Sequence, residues 1–361
     1  MSMKLEEFAR ESRATHKGDK SGVPIVGLEH LIPQEIKFSG YDVDTENTFT
    51  KTFKKGQILF GRRRAYLKKA AIADFDGICS GDITVIEAIP GKVDPLLLPF
   101  IIQNDKFFDY AVSRSAGGLS PRVKWEHLKD YEFDLPPIEE QRILADKLWA
   151  AYRLKESYKK LLTATQEMVK SQFIEMFGNP VTNTKGWKTA KIKDVAPEMP
   201  SKEQLSGKIW LLNLDMIESN TGRIIEKVYE DVENALSVQS FDEGNVLFSK
   251  LRPYLNKVVI PDEPGMATTE LVPLRPEPSK LHKVFLSHML RGNQFVNYAN
   301  DIAGGTKMPR MPLTELRNFD CILPPMDKQL EFIAEQADKS KFELRKSIEA
   351  IDQVIKSLIN N

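Results

Sequence analysis

A stretch of this chain returns 188 residues further on. Gly56, Gln57, Ile58, Leu59 and Phe60, followed by Arg64, Tyr66, Leu67 and Lys69, reappear as Gly244, Asn245, Val246, Leu247 and Phe248, followed by Arg252, Tyr254, Leu255 and Lys257. The same offset relates Pro121 and Arg122 to Pro309 and Arg310, and Leu128 to Leu316. It also relates Leu135, Pro136, Pro137 and Gln141 to Leu323, Pro324, Pro325 and Gln329. A single-residue slip sets Ala116, Gly117 and Gly118 against Ala303, Gly304 and Gly305. Solenoid units run to roughly 20–50 residues, so a repeat this long means two copies of a whole domain.

At 361 residues each copy is long enough to bury its own core. A hydrophobic fraction of 41% with 28% charged residues fits a globular protein, and no apolar run reaches the roughly 18 residues that a membrane span needs. The polar opening, Met1 to Lys20, has no signal-peptide core, so a cytoplasmic location is expected. Cys79 and Cys321 sit at non-equivalent positions without metal-ligand spacing; both read as buried small hydrophobes. With 51 basic and 51 acidic residues the net charge is zero, which excludes a polyelectrolyte that binds nucleic acid by bulk charge. Charge is nevertheless clustered. Between Glu46 and Asp74 there is no acid, while Lys51, Lys54, Lys55, Arg62, Arg63, Arg64, Lys68 and Lys69 are all basic, the footprint of a phosphate-facing surface.

Each copy runs in the same order: a strand-rich region, a Gly-rich loop, then a Pro-Pro pair opening a helical stretch. Strands are expected at Gln57–Phe60, Ala70–Ala73, Ile83–Ile86, Asn245–Phe248 and Lys257–Ile260. Prolines such as Pro261, Pro264 and Pro273 confine strands of the second copy to short pieces or edges. From Ile138 to Phe177 there is neither Gly nor Pro, and Leu144, Leu148, Ala151, Tyr158, Leu162, Thr165 and Val169 form a heptad-like seam. Gly178, Asn179 and Pro180 are its stop signal. After Pro325 a second seam follows, with Leu330, Ile333, Ala337, Leu344, Ile348, Ile351, Ile355 and Leu358. Helices of this length reach about 55–60 Å, more than one compact domain needs, and read as paired spacers. A seam does not name its partner, so packing of each helix on its own domain remains the other reading.

These motifs together resemble the specificity subunits of type I restriction-modification systems. The resemblance rests on the Gly-x-Ile-Leu-Phe strand with its basic turn, Gly117 and Gly118 before Pro121 and Arg122, and Leu135, Pro136, Pro137 with Glu140, Gln141 and Ile143. The second copy matches through Phe248, Lys250 to Leu255, Lys257, Leu323 to Pro325, Gln329 and Ile333, and Phe177 to Pro180 looks like the family's exit into the second unit. One departure is that the first copy has no counterpart of Gly186, Trp187 and Lys188, although Lys4 to Ala9 answers Lys191 to Ala196. The resemblance implies duplicated α/β (α+β) recognition domains with pseudo-twofold symmetry, joined by two long antiparallel helices as a coiled-coil spacer. Target recognition domains are then expected at 1–135 and 179–322, and spacer helices at 136–178 and 323–361. It further implies a non-catalytic reader of double-stranded DNA that binds two methyltransferase subunits and, through them, restriction subunits. S-adenosylmethionine would belong to the methyltransferase, and ATP and Mg to the restriction partner, with no cofactor or metal held by this chain.

Candidate DNA contacts are Arg62, Arg63, Arg64, Tyr66, Lys68 and Lys69, with Lys250, Arg252, Tyr254, Asn256 and Lys257 as their equivalents. Arginine grips guanine edges or phosphates with two bonds and lysine acts as a point charge; the bland alternative is a solvated basic loop. A second candidate surface is the Gly-rich loop with Arg122 and Lys124, and with Thr306, Lys307 and Arg310, where glycine lets backbone amides approach a phosphate. Leu144, Leu148, Tyr158, Leu162, Val169, Leu344, Ile348, Ile351 and Ile355 are the expected spacer and partner-binding positions. Enzymatic readings lack support: there is no nucleotide-binding Gly-x-x-x-x-Gly-Lys, and Leu135-Pro136-Pro137-Ile138 lacks the acid or amide and the ring of an amino-methyltransferase motif. Asp19, Glu35 and Lys37 are the nearest approach to a nuclease site, without an equivalent in the second copy. A specificity subunit of a type IIB-like methyltransferase-nuclease, a self-sufficient nuclease and a coiled-coil adaptor are the alternatives.

Overall fold

The computed structural model describes residues 2–203, 205–231, 237–305, 307–335 and 338–360. The chain forms two compact units. Unit 1 comprises Met1–Lys160 with Glu343–Asn361, and unit 2 comprises Leu161–Phe342. The helix Ile138–Phe177 therefore contributes to both, its first part to unit 1 and its last part to unit 2.

Unit 1 centres on a four-stranded antiparallel sheet ordered Ala9–Ser12, Ile83–Ala88, Ile58–Gly61, Ala70–Ile72. Its central strand reads as an unbroken apolar run because both faces are covered. Ile58 and Phe60 point into a core with Phe107, Phe108 and Leu128, whereas Leu59 joins Val26, Phe53 and Val85 on the other side. A three-stranded sheet builds that second side, with Gly77–Cys79 parallel to Ile25–Val26 and antiparallel to Lys51–Phe53. The strand Ser2–Lys4 closes on Glu132–Asp134.

Unit 2 repeats this plan. Leu271–Leu274, Val246–Ser249 and Val258–Val259 form its central sheet; Val246 and Phe248 face Phe285 and Phe295, while Leu247 faces Trp210 and Phe241. Gly265–Thr268 lies parallel to Lys208–Leu212 and antiparallel to Val238–Phe241, as its counterpart does in unit 1. Thr189–Lys191 on Asp320–Ile322 answers Ser2–Lys4 on Glu132–Asp134, so the strand that opens the second copy also opens the first. Pro273 falls, as expected, in an edge strand.

The Pro-Pro pairs are anchored by the repeated glutamine. Buried Gln141 accepts from the Asp94 N–H and donates to the Pro136 carbonyl; buried Gln329 accepts from the His282 N–H and donates to the Lys280 and Pro324 carbonyls. Each buried amide is thus satisfied by hydrogen bonds to backbone groups of neighbouring loops. The helix Ile138–Phe177 stops at Gly178, whose φ of +75° suits glycine; a Cβ there would meet the Thr184 hydroxyl at 2.4 Å.

Beyond Pro325 lie two helices, Met326–Glu335 and Asp338–Asn360; the seam position Ala337 is outside the described residues. Leu330 is exposed, against expectation, while the seam residue Ile333 packs on the unit 2 core beside the fully buried Phe332. In unit 1 the last helix packs on the central one. Leu144 and Leu148 share a core with Ile355, Leu358 and Ile359, and Lys155 pairs with Asp352 at 2.7 Å, so later residues of one helix meet earlier residues of the other, an antiparallel course. Leu148 is fully buried, Leu144 and Ile355 are half-buried, and Val169 is buried in the core of unit 2 with Phe173 and Phe177. Tyr158, Leu162, Leu344, Ile348 and Ile351 are half-buried. Both readings of the seam thus hold locally: it pairs the helices and fills each unit's own core. Among the described residues no helix is long and apolar enough to cross a membrane.

Candidate nucleic-acid interface

Each basic turn leaves its strand through one helical turn, Ala65–Leu67 or Pro253–Leu255, flanked by two residues in the left-handed region. In unit 1 these are Arg64 (φ 53°) and Lys68 (φ 51°), and in unit 2 Arg252 (φ 49°) and Asn256 (φ 48°). Asparagine tolerates this region; arginine and lysine pay of order 1 kcal/mol or more for it. The same arginine takes this conformation in both copies.

The turn is fastened to the Gly-rich loop. Arg64 N–H donates to the Pro121 carbonyl at 2.8 Å and Arg252 N–H to the Pro309 carbonyl at 2.7 Å. Arg122 grips Asp82 with two bonds, 2.7 and 3.1 Å, and Arg310 grips Glu270 likewise. Arg63 also lies 3.5 Å from Asp82. The Arg122 hydrogen bond, assisted by the nearby arginine charges, holds the Asp82 carboxyl below its ordinary range. Asp82 and Glu270 stand at the repeat offset, so the acidic half of this latch was visible in the sequence as a further recurring position.

Not every basic residue of the turn faces outward. Lys69 donates to the Leu28 carbonyl at 2.7 Å and Lys257 to the Leu214 carbonyl at 2.6 Å, so both ammonium groups brace the turn; burial lowers the Lys257 pKa. Lys68 bonds Asp105 at 2.6 Å, and Asp105 also receives Lys356 of the last helix at 2.8 Å. Burial works to raise the Asp105 carboxyl, but the hydrogen bonds from Lys356 and Lys68 outweigh it and lower its pKa. Asn256 is buried and donates to the Arg291 carbonyl. The sequence could not show which way these side chains turn, because their partners lie on distant elements.

What remains outward is the arginine-aromatic rim. Arg64, Tyr66 (52% exposed) and Lys124 are exposed in unit 1, and Tyr254 (49%) and Lys307 in unit 2; Arg62, Arg63, Lys250 and Arg252 are half-buried. The Nε atoms of Arg62 and Arg252 are buried and meet no hydrogen-bond partner among the described residues. Leu119, at the tip of the Gly117-Gly118 loop, is 97% exposed. Thr306 lies outside the described residues.

The residues considered for other chemistry have structural employment. Glu35 takes hydrogen bonds from Lys159 and the Tyr152 hydroxyl and faces Lys155, Asp19 accepts from the Ser21 N–H and hydroxyl, and Lys37 lies over the Tyr152 ring. His282 caps the helix Lys283–Arg291 by accepting from the Val284 N–H. Glu29, His30 and Asp42 offer ligand atoms within 4.8 Å of one another; His30 Nδ1 accepts the Gly27 N–H and its Nε2 lies 3.6 Å from Asp42. Cys79 and Cys321 are buried, as expected, and burial pushes each thiol up to about 12.

Comparison with known proteins agrees with the duplicated frame. The type I restriction modification DNA specificity domain matches at residues 8–164 and again at 184–349. The type I restriction enzyme EcoDI specificity subunit of Escherichia coli is 32% identical over 130 residues, 34% of this chain and 29% of that protein. The putative type I restriction enzyme MjaX specificity subunit of Methanocaldococcus jannaschii is 23% identical over 203 residues, 53% of this chain and 47% of that protein. The matches thus span about a third to a half of the length of these curated relatives. Among solved structures, the type I restriction-modification S subunit from M. genitalium aligns with a TM-score of 0.52 at 12% identity, covering 100% of this chain and 95% of that one. A chain from work on complex assembly and conformational transition of the type I R-M system gives 0.52 at 17% identity, covering 99% and 96%. At such identities the likeness establishes the fold, mixed α/β domains with two long helices that pack together. Matched over most of its length in two successive segments, the chain belongs to the family of type I restriction-modification DNA specificity domains.

Proposed function

We propose that this chain is the non-catalytic specificity subunit of a type I restriction-modification complex, reading a split, asymmetric duplex site with one recognition unit per half. Residues 1–135 and 179–322 act as the recognition domains, and 136–178 with 323–361 act as the spacer that sets the interval between half-sites. The helical seam also receives two adenine methyltransferase subunits, which carry S-adenosylmethionine, and these recruit restriction subunits that use ATP and Mg. The observation that carries this reading is the same arginine, held at positive φ beside an exposed tyrosine and latched to a Gly-rich loop, built twice in a member of a DNA specificity family.

In this reading Arg63, Arg64, Lys124, Lys250, Arg252 and Lys307 supply phosphate or base contacts, and Tyr66 and Tyr254 supply flat contact surfaces. Arg122, Arg310, Lys69 and Lys257 hold the turn in shape. Selection of randomised duplex DNA by the full chain tests it: two different half-site motifs at a fixed gap are expected, and enrichment of no motif overturns the reading. Inserting seven residues in each helix should change the gap and leave both half-sites intact; an unchanged gap contradicts the spacer role.

A further inference from the structure

Beside the basic turn of unit 1 lies an open cleft of about 680 Å³, and its lining differs in kind from the turn. Four cations reach it, Arg13, Lys51, Arg62 and Lys124, together with three carboxylates, Glu11, Asp82 and Glu126. A phosphate backbone laid there would meet three carboxylates. Base edges are different: they present donors and acceptors side by side, so amino groups of cytosine and adenine suit carboxylates while guanine suits arginine and lysine. Thr48 and Thr50 add exposed hydroxyls, and Trp125 adds a half-buried ring that can meet a thymine methyl.

The internal duplication sorts these residues into two groups. One group keeps its chemistry at the repeat-equivalent position: Glu11 against Glu198, Arg62 against Lys250, and Asp82 against Glu270. Lys51 and Gln239 also correspond in role, since they donate to the equivalent carbonyls of Ile83 and Leu271. The other group changes altogether: Arg13 becomes Pro200, Thr50 becomes Val238, Lys124 becomes Pro312, Trp125 becomes Leu313 and Glu126 becomes Thr314. The members that change line one cleft, and two of them meet directly, Arg13 bonding Glu126 at 3.1 Å. Arg13 is also tied to the group that keeps its chemistry, bonding Glu11 at 2.8 Å.

We infer that this mixed-sign cleft reads base edges of the half-site assigned to unit 1, with Arg13, Thr50, Lys124, Trp125 and Glu126 as specificity-determining residues, while Arg64 on the adjoining turn grips phosphate. The inference rests on the DNA-reading function proposed above and assigns its discrimination to a surface distinct from its charge. Glu126 accepts from a base amino group, and Arg13 is held by Glu126 and Glu11 in position to donate.

The test is selection of randomised duplex DNA by the full chain, comparing the original with Glu126→Gln, Arg13→Gln and Arg64→Ala, and checking each fold by circular dichroism. Glutamine keeps the shape of Glu126 at an exposed site and adds a donor, so the fold survives. Glu126→Gln and Arg13→Gln should each change the preference at one or two base pairs of a single half-site by about tenfold and leave the other half-site untouched. Arg64→Ala should weaken binding to all sequences alike and reduce the salt slope by about one. If the original chain enriches a split motif but the cleft variants leave every base preference unchanged, or alter both halves equally, the inference is overturned. If the original chain enriches no motif, the function proposed above fails instead.

Discussion

Strand Ile83–Ala88 of unit 1 and strand Leu271–Leu274 of unit 2 occupy the same place in the duplicated frame, yet their edges differ. The first is hydrogen-bonded on both sides, to Ala9–Ser12 and to Ile58–Gly61. Among the described residues the second ladders with Val246–Ser249 alone; its other side keeps an isolated bridge between Glu198 and Leu274 and two backbone hydrogen bonds, from Met199 N–H to the Pro273 carbonyl and from Arg275 N–H to the Pro197 carbonyl. Val85, opposite Ser12, corresponds to Pro273, which has no N–H to offer a ladder. The turn and its latch are nonetheless the same in both units. The lesson is that the basic turn is held by its own local clasp, Arg122 on Asp82 or Arg310 on Glu270, and not by the width of the sheet beneath it.

That comparison can be broken most sharply in the cores. Phe60 lies 5.5 Å from both Phe107 and Phe108, whereas Phe248 meets Phe295 at 5.8 Å. Phe60→Ala should cost about 3–5 kcal/mol and Phe248→Ala less, read from denaturant unfolding. Equal losses would show that the second ring contributes nothing. A smaller effect is expected at the glutamine anchors. Gln141→Ala and Gln329→Ala should each cost about 1–3 kcal/mol, with Gln329 the costlier because three backbone groups depend on it and only two on Gln141. The reverse order in melting experiments would refute this accounting.

Glycine at the strained position separates function from stability. Arg64→Gly and Arg252→Gly should change unfolding free energy by less than about 1 kcal/mol, since relief of the left-handed conformation offsets glycine's entropy. Each should still weaken DNA binding and lower its salt slope by about one. A large stability loss without a binding defect would make the arginine a framework residue.

The smallest expected effect is in acid. Because the folded Asp82 carboxyl sits below its ordinary pKa of about 3.9, the latch's contribution is fully present above that pH and fades as pH falls through the lowered value. Thermal melts of the original chain and of Asp82→Asn should therefore differ most near neutrality and begin to converge only as the pH falls below the ordinary carboxylate value; a constant difference would sink the assignment.

Much of this frame is legible in the sequence, for identifiable reasons. The central strands are unbroken apolar runs bounded by Gly and basic turns, and structure places them at Ile58–Gly61 and Val246–Ser249, within a residue of the expected bounds. The long helix ends where Gly178 permits a left-handed residue. Side-chain direction was not legible. Lys69 and Lys257 look like surface cations but brace carbonyls some forty residues earlier in the chain. Lys155, only 7% exposed within a helix full of solvated lysines, is buried because Asp352 and Glu35 arrive from opposite ends of the sequence. Leu330 has the periodicity of a core residue and lies outside the core, since a local pattern fixes a face only to within one neighbouring position.

Unit 1 takes its final pieces from Glu343–Asn361, including Lys356 on Asp105 and Asn360 on Asn104, whereas unit 2 lies wholly within Leu161–Phe342. A nascent chain leaving the ribosome therefore holds every residue of the downstream unit before the upstream one can be finished. The polypeptide that begins first is completed last, and a translation arrest near residue 342 would leave the residues around Ile355 and Ile359 missing from the earlier half, with its hydrophobic interior open to solvent.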